Sequence, residues 1–250
     1  ELHCLSGATG ELVATRPWPA FQRNQSMSDT FRYLLHGGYA HGQPRLVTAQ
    51  GCYHELSVHA WDSGLNLLWK RDIHNHEPGC RASHMISMLD IDGDGRDELF
   101  FGERCIDLDT GADLWVADRE GYHGHSDIVM PTLDRVTGRW SFFTCREFPW
   151  PEGSRGVVLF DDRGEELWGY RGMGHMHSGW TARLADDGTH RCYAVEVVKD
   201  KATGRMDRTA YFYDMAGNEL ALPFPLERTL PVDIDGDGRH ELVYSSTAPP

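Results

Sequence analysis

Residues 160–168 read FDDRGEELW. Two apolar-ended arms flank a turn in which Gly164 can take a positive φ and Asp can accept turn amides. The stretch therefore reads as a β-hairpin closed by Trp168. Related phrases are LSGATGELV at 5–13, WDSGLNLLW at 61–69, LDTGADLW at 108–115 and YDMAGNEL at 213–220. Their turn glycines, Gly10, Gly64, Gly111, Gly164 and Gly217, are spaced 54, 47, 53 and 53. Two further strand-like runs precede most hairpins: HMISMLDI (84–91) then DELFFGE (97–103), and SDIVMPTLD (126–134) then RWSFFTCRE (139–147). Four short strands in a unit of about 50 residues is the pattern of a β-propeller blade. No segment shows sustained helical periodicity, and another all-β repeat or a sandwich is the alternative. The expectation is an all-β chain, a single β-propeller domain over 1–250 with about five four-stranded blades. It opens inside an outer hairpin and ends after the inner strands of LPVDIDGDGRHELVYSS. That reads as part of a seven- or eight-bladed propeller, incomplete at both ends.

The 250 residues are 40% hydrophobic and 25% charged, globular values that exclude disorder, collagen and coiled coil. No apolar run approaches the roughly 18 residues of a membrane span. Asp and Glu number 38 against 24 Lys and Arg, a formal charge of −14, which argues against a nucleic-acid binder. Only Lys70, Lys199 and Lys201 are lysines, leaving arginine, the better bidentate carboxylate ligand, as the main cation. The N-terminal ELHCLSGATGELV shows no signal pattern. Six cysteines, with no CxxC pair, read as buried thiols at about one per unit. A monomer is expected.

DIDGDGRDEL (90–99) and DIDGDGRHEL (233–242) place Asp at positions 1, 3 and 5, Gly at 6 and Glu at 9, a spacing able to wrap a hard cation in oxygen. Position 12 is Phe101 or Tyr244 rather than Glu, so these are short inter-strand Ca²⁺ (or Mg²⁺) loops and not EF-hands. Asp90, Asp92, Asp94 and Glu98, with Asp233, Asp235, Asp237 and Glu241, are the candidate ligands, in a structural role. A second group, His74, His76, Cys80 and His84, matches no familiar zinc spacing. Structural Zn²⁺ there is the minor reading and a polar loop the major one.

Histidines stand just before the first strand of three units: His84, then His123 and His125, then His175 and His177. Tyr170, Trp180 and Arg183 are near in sequence, and Arg228 precedes the first strand of the last unit. A blade's inner strand starts near the central channel, so these groups are expected to share one mouth. Unrelated packing histidines are the alternative. Imidazole, phenol and guanidinium together suit chemistry on an anionic sugar.

The acidic loops are similar to the FG-GAP type of Ca²⁺-binding repeat. With YHGHSDIVMPTLD, a strand ending in RE and GVVLFDDRGEELW, most of the chain resembles the propeller polysaccharide lyases of the rhamnogalacturonan, ulvan and rhamnose–glucuronate type. Gly124-His125-Ser126-Asp127 stands where the rhamnogalacturonan enzymes carry Gly-His-Gly-Asp, with Ser126 a departure from it. The resemblance implies a secreted, Ca²⁺-dependent enzyme that cleaves an anionic polysaccharide by β-elimination at a 4-linked uronate beside rhamnose. On that reading His125 is the base, Tyr170 the acid or partner base, and Arg183 the group that neutralises the carboxylate. His84, His123, His177, Trp180 and Arg228 hold substrate. A non-catalytic Ca²⁺ propeller for adhesion or carbohydrate binding is the alternative.

Overall fold

Short runs of β-branched and aromatic residues, bounded by Asp- and Gly-containing turns, fold here as antiparallel strands. The structure is a computed structural model describing residues 1–19, 30–74, 77, 82–117, 122, 124–147, 155–171, 174–184, 188–222 and 229–244. Its first sheet pairs β1 (Leu2–Leu5) with β2 (Leu12–Arg16). The second runs β3 (Tyr33–Ala40), β4 (Gln43–Gln50), β5 (Glu55–Trp61), β6 (Leu67–His74), and the third β7 (Ile86–Leu89), β8 (Glu98–Phe101), β9 (Arg104–Asp107), β10 (Asp113–Val116). The fourth is β11 (Ser126–Leu133), β12 (Trp140–Arg146), β13 (Arg155–Asp161), β14 (Glu166–Arg171). A three-stranded sheet follows, β15 (His175–Ala182), β16 (Arg191–Lys199), β17 (Met206–Asp214), and then the pair β18 (Thr229–Val232) and β19 (Glu241–Tyr244). Every ladder joins sequence neighbours, so the architecture is all-β with each sheet an antiparallel meander. The five hairpin phrases fall on turns, but the last makes only an isolated Tyr213–Glu219 bridge in place of a fourth strand. The sequence beyond it runs to Pro223 and Pro225, which bring no amide donor to a ladder.

The core lies between sheets rather than inside any one. Val47, Val58 and Ile73 meet Leu99 and Ile106 across the second and third sheets. Phe100 and Cys105 meet Phe142, Val158 and Phe160 across the third and fourth, and Phe143 and Leu159 meet Cys192 and Ala194 across the fourth and fifth. The first strands of neighbouring sheets touch, β3 with β7, β11 with β15 and β15 with β18. Ser83, just ahead of β7, forms a parallel bridge with Ser126, the first residue of β11. Residues at the starts of these strands are thereby collected on one side of the molecule.

Each hairpin tryptophan clamps the next sheet. The indole N–H of Trp69 donates to Leu108 O (2.7 Å), that of Trp115 to Asp162 O (3.1 Å) and that of Trp168 to Met215 O (3.0 Å). These rings rest on Gly111, Gly164 and Gly217, where an added Cβ would lie 2.8, 2.6 and 2.8 Å from ring carbons. The phrase therefore repeats because one unit's Trp needs the next unit's glycine. Cys52, Cys105, Cys145 and Cys192 are buried thiols outside any disulfide, and Cys4 is a partly exposed one. No helix among the described residues is long and apolar enough to cross a membrane.

Candidate active site

Asp127, near the start of β11 and 2% exposed, is the hub of the histidines. Its Oδ1 lies 3.1 Å from His84 Nε2 and 3.4 Å from His125 Nε2, and its Oδ2 lies 2.5 Å from His175 Nε2 and 3.6 Å from His177 Nδ1. His84 and His125 are themselves 3.3 Å apart, and Cys52 Sγ is 3.4 Å from His125 Nδ1. Arg32, directly before β3, contacts His84 and sits 5.6 Å over the Tyr53 ring. Tyr53 in turn packs against His125. Four sheets thus contribute to one centre.

Beneath it lies a buried support. Arg146 donates to both oxygens of Glu103 (2.8 and 2.7 Å), with both side chains enclosed, and its guanidinium stacks 3.9 Å from the Tyr122 ring centre. Ser126 Oγ donates to Glu103 Oε1 at 2.9 Å. The Tyr122 hydroxyl and the Glu147 amide both donate to the carbonyl oxygen of His125. This fixes the loop that aims His125 and Asp127.

Burial works to raise the Asp127 pKa, yet hydrogen bonds from His125 and His175 and their charge hold it below the ordinary carboxylate value. Burial likewise works to lower His175, but the Asp127 bond and charge, aided by Glu147, raise it. Burial and the charge of Glu147 push the Tyr53 phenol well up, keeping it protonated. Glu147 Oε2 is buried without a hydrogen-bond partner, and Asp127 Oδ1 is met only by the His84 and His125 imidazoles. His125, Asp127 and Glu147 each bring one ligand atom within 4.8 Å of the others. A buried carboxylate oxygen without a partner, beside a second carboxylate and an imidazole nitrogen, fits a divalent cation.

A family model described as Rhamnogalacturonan lyase family 11, C-terminal domain, matches residues 2–248. The chain belongs to this family. It is 31% identical over 200 residues to the rhamnogalacturonan exolyase YesX of Bacillus subtilis (strain 168), covering 73% of this chain and 31% of that protein. It is 32% identical over 121 residues to the rhamnogalacturonan endolyase YesW of the same organism, covering 43% of this chain and 20% of that protein. The crystal structure of the exotype rhamnogalacturonan lyase YesX superposes with a TM-score of 0.67 at 23% identity, covering 88% of this chain and 37% of that one. That likeness shows a shared fold. The chain spans about a third or less of the length of the curated relatives it matches.

In this family 11 domain the expected site residues divide. His84, His125 and His177 come together, while His123 and Arg228 lie outside the described residues. Three expectations are corrected. Tyr170 is on β14, the last strand of its sheet, with its hydroxyl bonded to Gly217 O and its ring stacked on Tyr213. Trp180 is 4% exposed, stacked on Tyr193 and bonded to Thr229 Oγ1. Arg183 follows β15 at the end opposite His175, about 25 Å along the strand at roughly 3.3 Å per residue. His125 also changes standing. At 3% exposed it lies behind His84 and Tyr53, and the imidazoles open to solvent are His84 and His177, with side chains 32% and 50% exposed.

Arg32, Cys52, Tyr53 and Glu147 are new to the site. Arg32 precedes a first strand as His84 and His125 do, a signal already present in the sequence, while His175 and His177 lie in the opening residues of β15. Cys52, Tyr53 and Glu147 follow second strands, β4 and β12; the RE closing RWSFFTCRE marks Glu147, and no motif marks Cys52 or Tyr53.

In the acidic loops, Asp90 accepts the Gly93, Asp94 and Gly95 amides and Asp233 those of Gly236 and Gly238. Asp90, Asp92 and Asp94, and likewise Asp233, Asp235 and Glu241, each bring three carboxylate oxygens within 4.8 Å of one another. Burial pushes Glu98 up to about 7 against the Ile91 amide that donates to it, with Asp92, Asp94 and Asp90 adding repulsion. An all-oxygen set under this crowding fits Ca²⁺. Asp237 instead caps the Arg239 amide. Of the minor zinc group, His76 and Cys80 lie outside the described residues, His74 pairs with Glu55 and His84 belongs to the Asp127 centre.

Proposed function

We propose that the protein is a polysaccharide lyase that cleaves rhamnogalacturonan by β-elimination, on a propeller whose blades are the sheets described above and whose acidic loops bind Ca²⁺. The single observation that carries the reading is the Asp127 centre: solvent-facing imidazoles and an arginine gathered over a buried carboxylate, with Glu147 beside it. Family membership and the two lyases it resembles support the choice of polymer. A polymer cannot enter a cell intact, so the reading puts the protein outside the cytoplasm.

Elimination requires that the C5 proton leave while the uronate carboxylate absorbs the electrons, a step that needs fixed positive charge. Arg32 supplies a guanidinium for the carboxylate, and His84, bridged between Arg32 and Asp127, orients it. A divalent cation held by His125, Asp127 and Glu147 adds charge of the same sign when bound. His177 takes the C5 proton. The released electron pair forms the C4–C5 double bond, the C4–O bond breaks and the leaving oxygen takes a proton from solvent. Asp127 stays ionised and holds the imidazoles in place.

Kinetics on rhamnogalacturonan, followed by ultraviolet absorbance of the unsaturated product, test the roles. His177→Ala should lower kcat about 10²–10⁴-fold, the usual contribution of a general base. Arg32→Gln should raise KM and lower kcat together, with partial recovery in Arg32→Lys. Turnover within about tenfold of wild type in His177→Ala would remove it from the mechanism.

A further inference from the structure

On the side of the molecule away from the histidines, a cavity of about 570 Å³ opens between the far ends of the fourth and fifth sheets. Its size is within the roughly 300–1,000 Å³ of small-molecule sites. Trp140, Val136, Leu159 and Met215 give it an apolar wall, and Arg135, Arg183 and His190 stand on its polar side. The acids that line it, Asp134 and Asp161, direct oxygens at turn amides. Asp134 accepts the amides of Val136 and Thr137 and the Thr137 hydroxyl, while Asp161 accepts those of Arg163 and Glu165. Arg139 is held by Asp162.

Among the described residues, Arg135 and Arg183 have no carboxylate at ion-pair distance, and Arg183 Nε is buried without a hydrogen-bond partner. The Arg183 guanidinium lies between Gly188 and Gly238, where even an added Cβ would stay 3.7 and 3.6 Å away. Its nitrogens are therefore not covered by side chains at these two positions. Burial, then the positive charge of Arg183, His240 and Arg135, pushes His190 down to about 4. An arginine pair beside an indole and an apolar wall gives the cavity a cationic side, facing the lining carboxylates Asp134 and Asp161 and within electrostatic reach of Asp237.

We propose that this cavity is a second, non-catalytic binding site for an acidic saccharide. The uronate carboxylate is taken by Arg135 and Arg183, and the sugar ring lies on Trp140. The choice of a sugar acid over another carboxylate rests on the lyase reading; the anion preference does not. Such a site would retain the acidic polymer or its fragments about 25 Å from the reacting bond, by the same count of strand residues.

Calorimetry of the intact protein with digalacturonate tests this in a His177→Ala background, which slows any turnover. Two classes of site are expected. One is weakened about tenfold or more by Arg135→Gln and by Arg183→Gln, and the other by Arg32→Gln. Arg135 is exposed, so its variant folds as the parent does. The methyl-esterified disaccharide should lose the cavity class. Binding lost with Arg32→Gln and untouched by Arg135→Gln would overturn the proposal, as would capture of inorganic phosphate without the disaccharide. Failure of the lyase reading is read separately, as absence of elimination by wild-type protein, and leaves the cavity titration interpretable.

Discussion

Arg146 and Glu103 form a fully enclosed ion pair one contact removed from the site, Glu103 through Ser126 and Arg146 through the Tyr122 ring that bonds the His125 carbonyl. Removing one partner leaves a bare charge in a dry place. Arg146→Met should therefore cost about 3–5 kcal/mol in chemical denaturation, while the double change with Glu103→Leu should recover much of it. A loss under about 1 kcal/mol would show that water reaches Glu103. At this scale the sequence rule of looking before each first strand found His84, His125 and His177 because strand starts converge. It failed at Tyr170 because neighbours in sequence along a meander sit at opposite edges of a sheet. It failed at Arg183 because a strand carries its two ends far apart. The RE phrase contained Glu147 without giving it a role, and Cys52 was invisible, since their part depends on the loop after a second strand folding back over the centre, which no periodicity records.

The hairpin was the most legible element, for a physical reason that the sequence alone could not supply. Gly111, Gly164 and Gly217 are fixed twice, by a positive φ and by the tryptophan of the preceding unit. Gly10 has the positive φ alone, and in the second phrase Leu65 takes it in place of Gly64. Gly164 has φ +79° and a neighbouring ring 2.6 Å from any Cβ, whereas Gly138 has φ +70° and nothing within 4 Å. Gly138→Ala should thus cost only about 1 kcal/mol for backbone strain, and Gly164→Ala should cost clearly more because Trp115 must also move. Equal losses in thermal unfolding would mean that the Trp115 clamp contributes nothing. The fifth hairpin phrase illustrates the limit of pattern reading, since YDMAGNEL has the turn but its second arm runs into prolines and makes a single bridge.

Across the whole molecule, sheets pack face to face in series, and the charge that this concentrates in the acidic loops needs an answer. If Ca²⁺ fills both loops at about a hundred times its dissociation constant, each contributes roughly 2.7 kcal/mol. Chelation should then lower Tm by several degrees, and Asp233→Asn should remove about half of that response. An unchanged Tm on adding chelator would leave the loops as plain acidic turns. The all-β meander was readable from repeats, and family membership agrees with the polymer class the motifs suggested, but the centre's composition emerged only when four sheets were brought together. The most direct measurement incubates the intact, Ca²⁺-bound protein with rhamnogalacturonan and follows absorbance of the unsaturated uronate. A rise that vanishes in His177→Ala is the predicted result. A flat trace from folded, Ca²⁺-loaded protein would contradict the account.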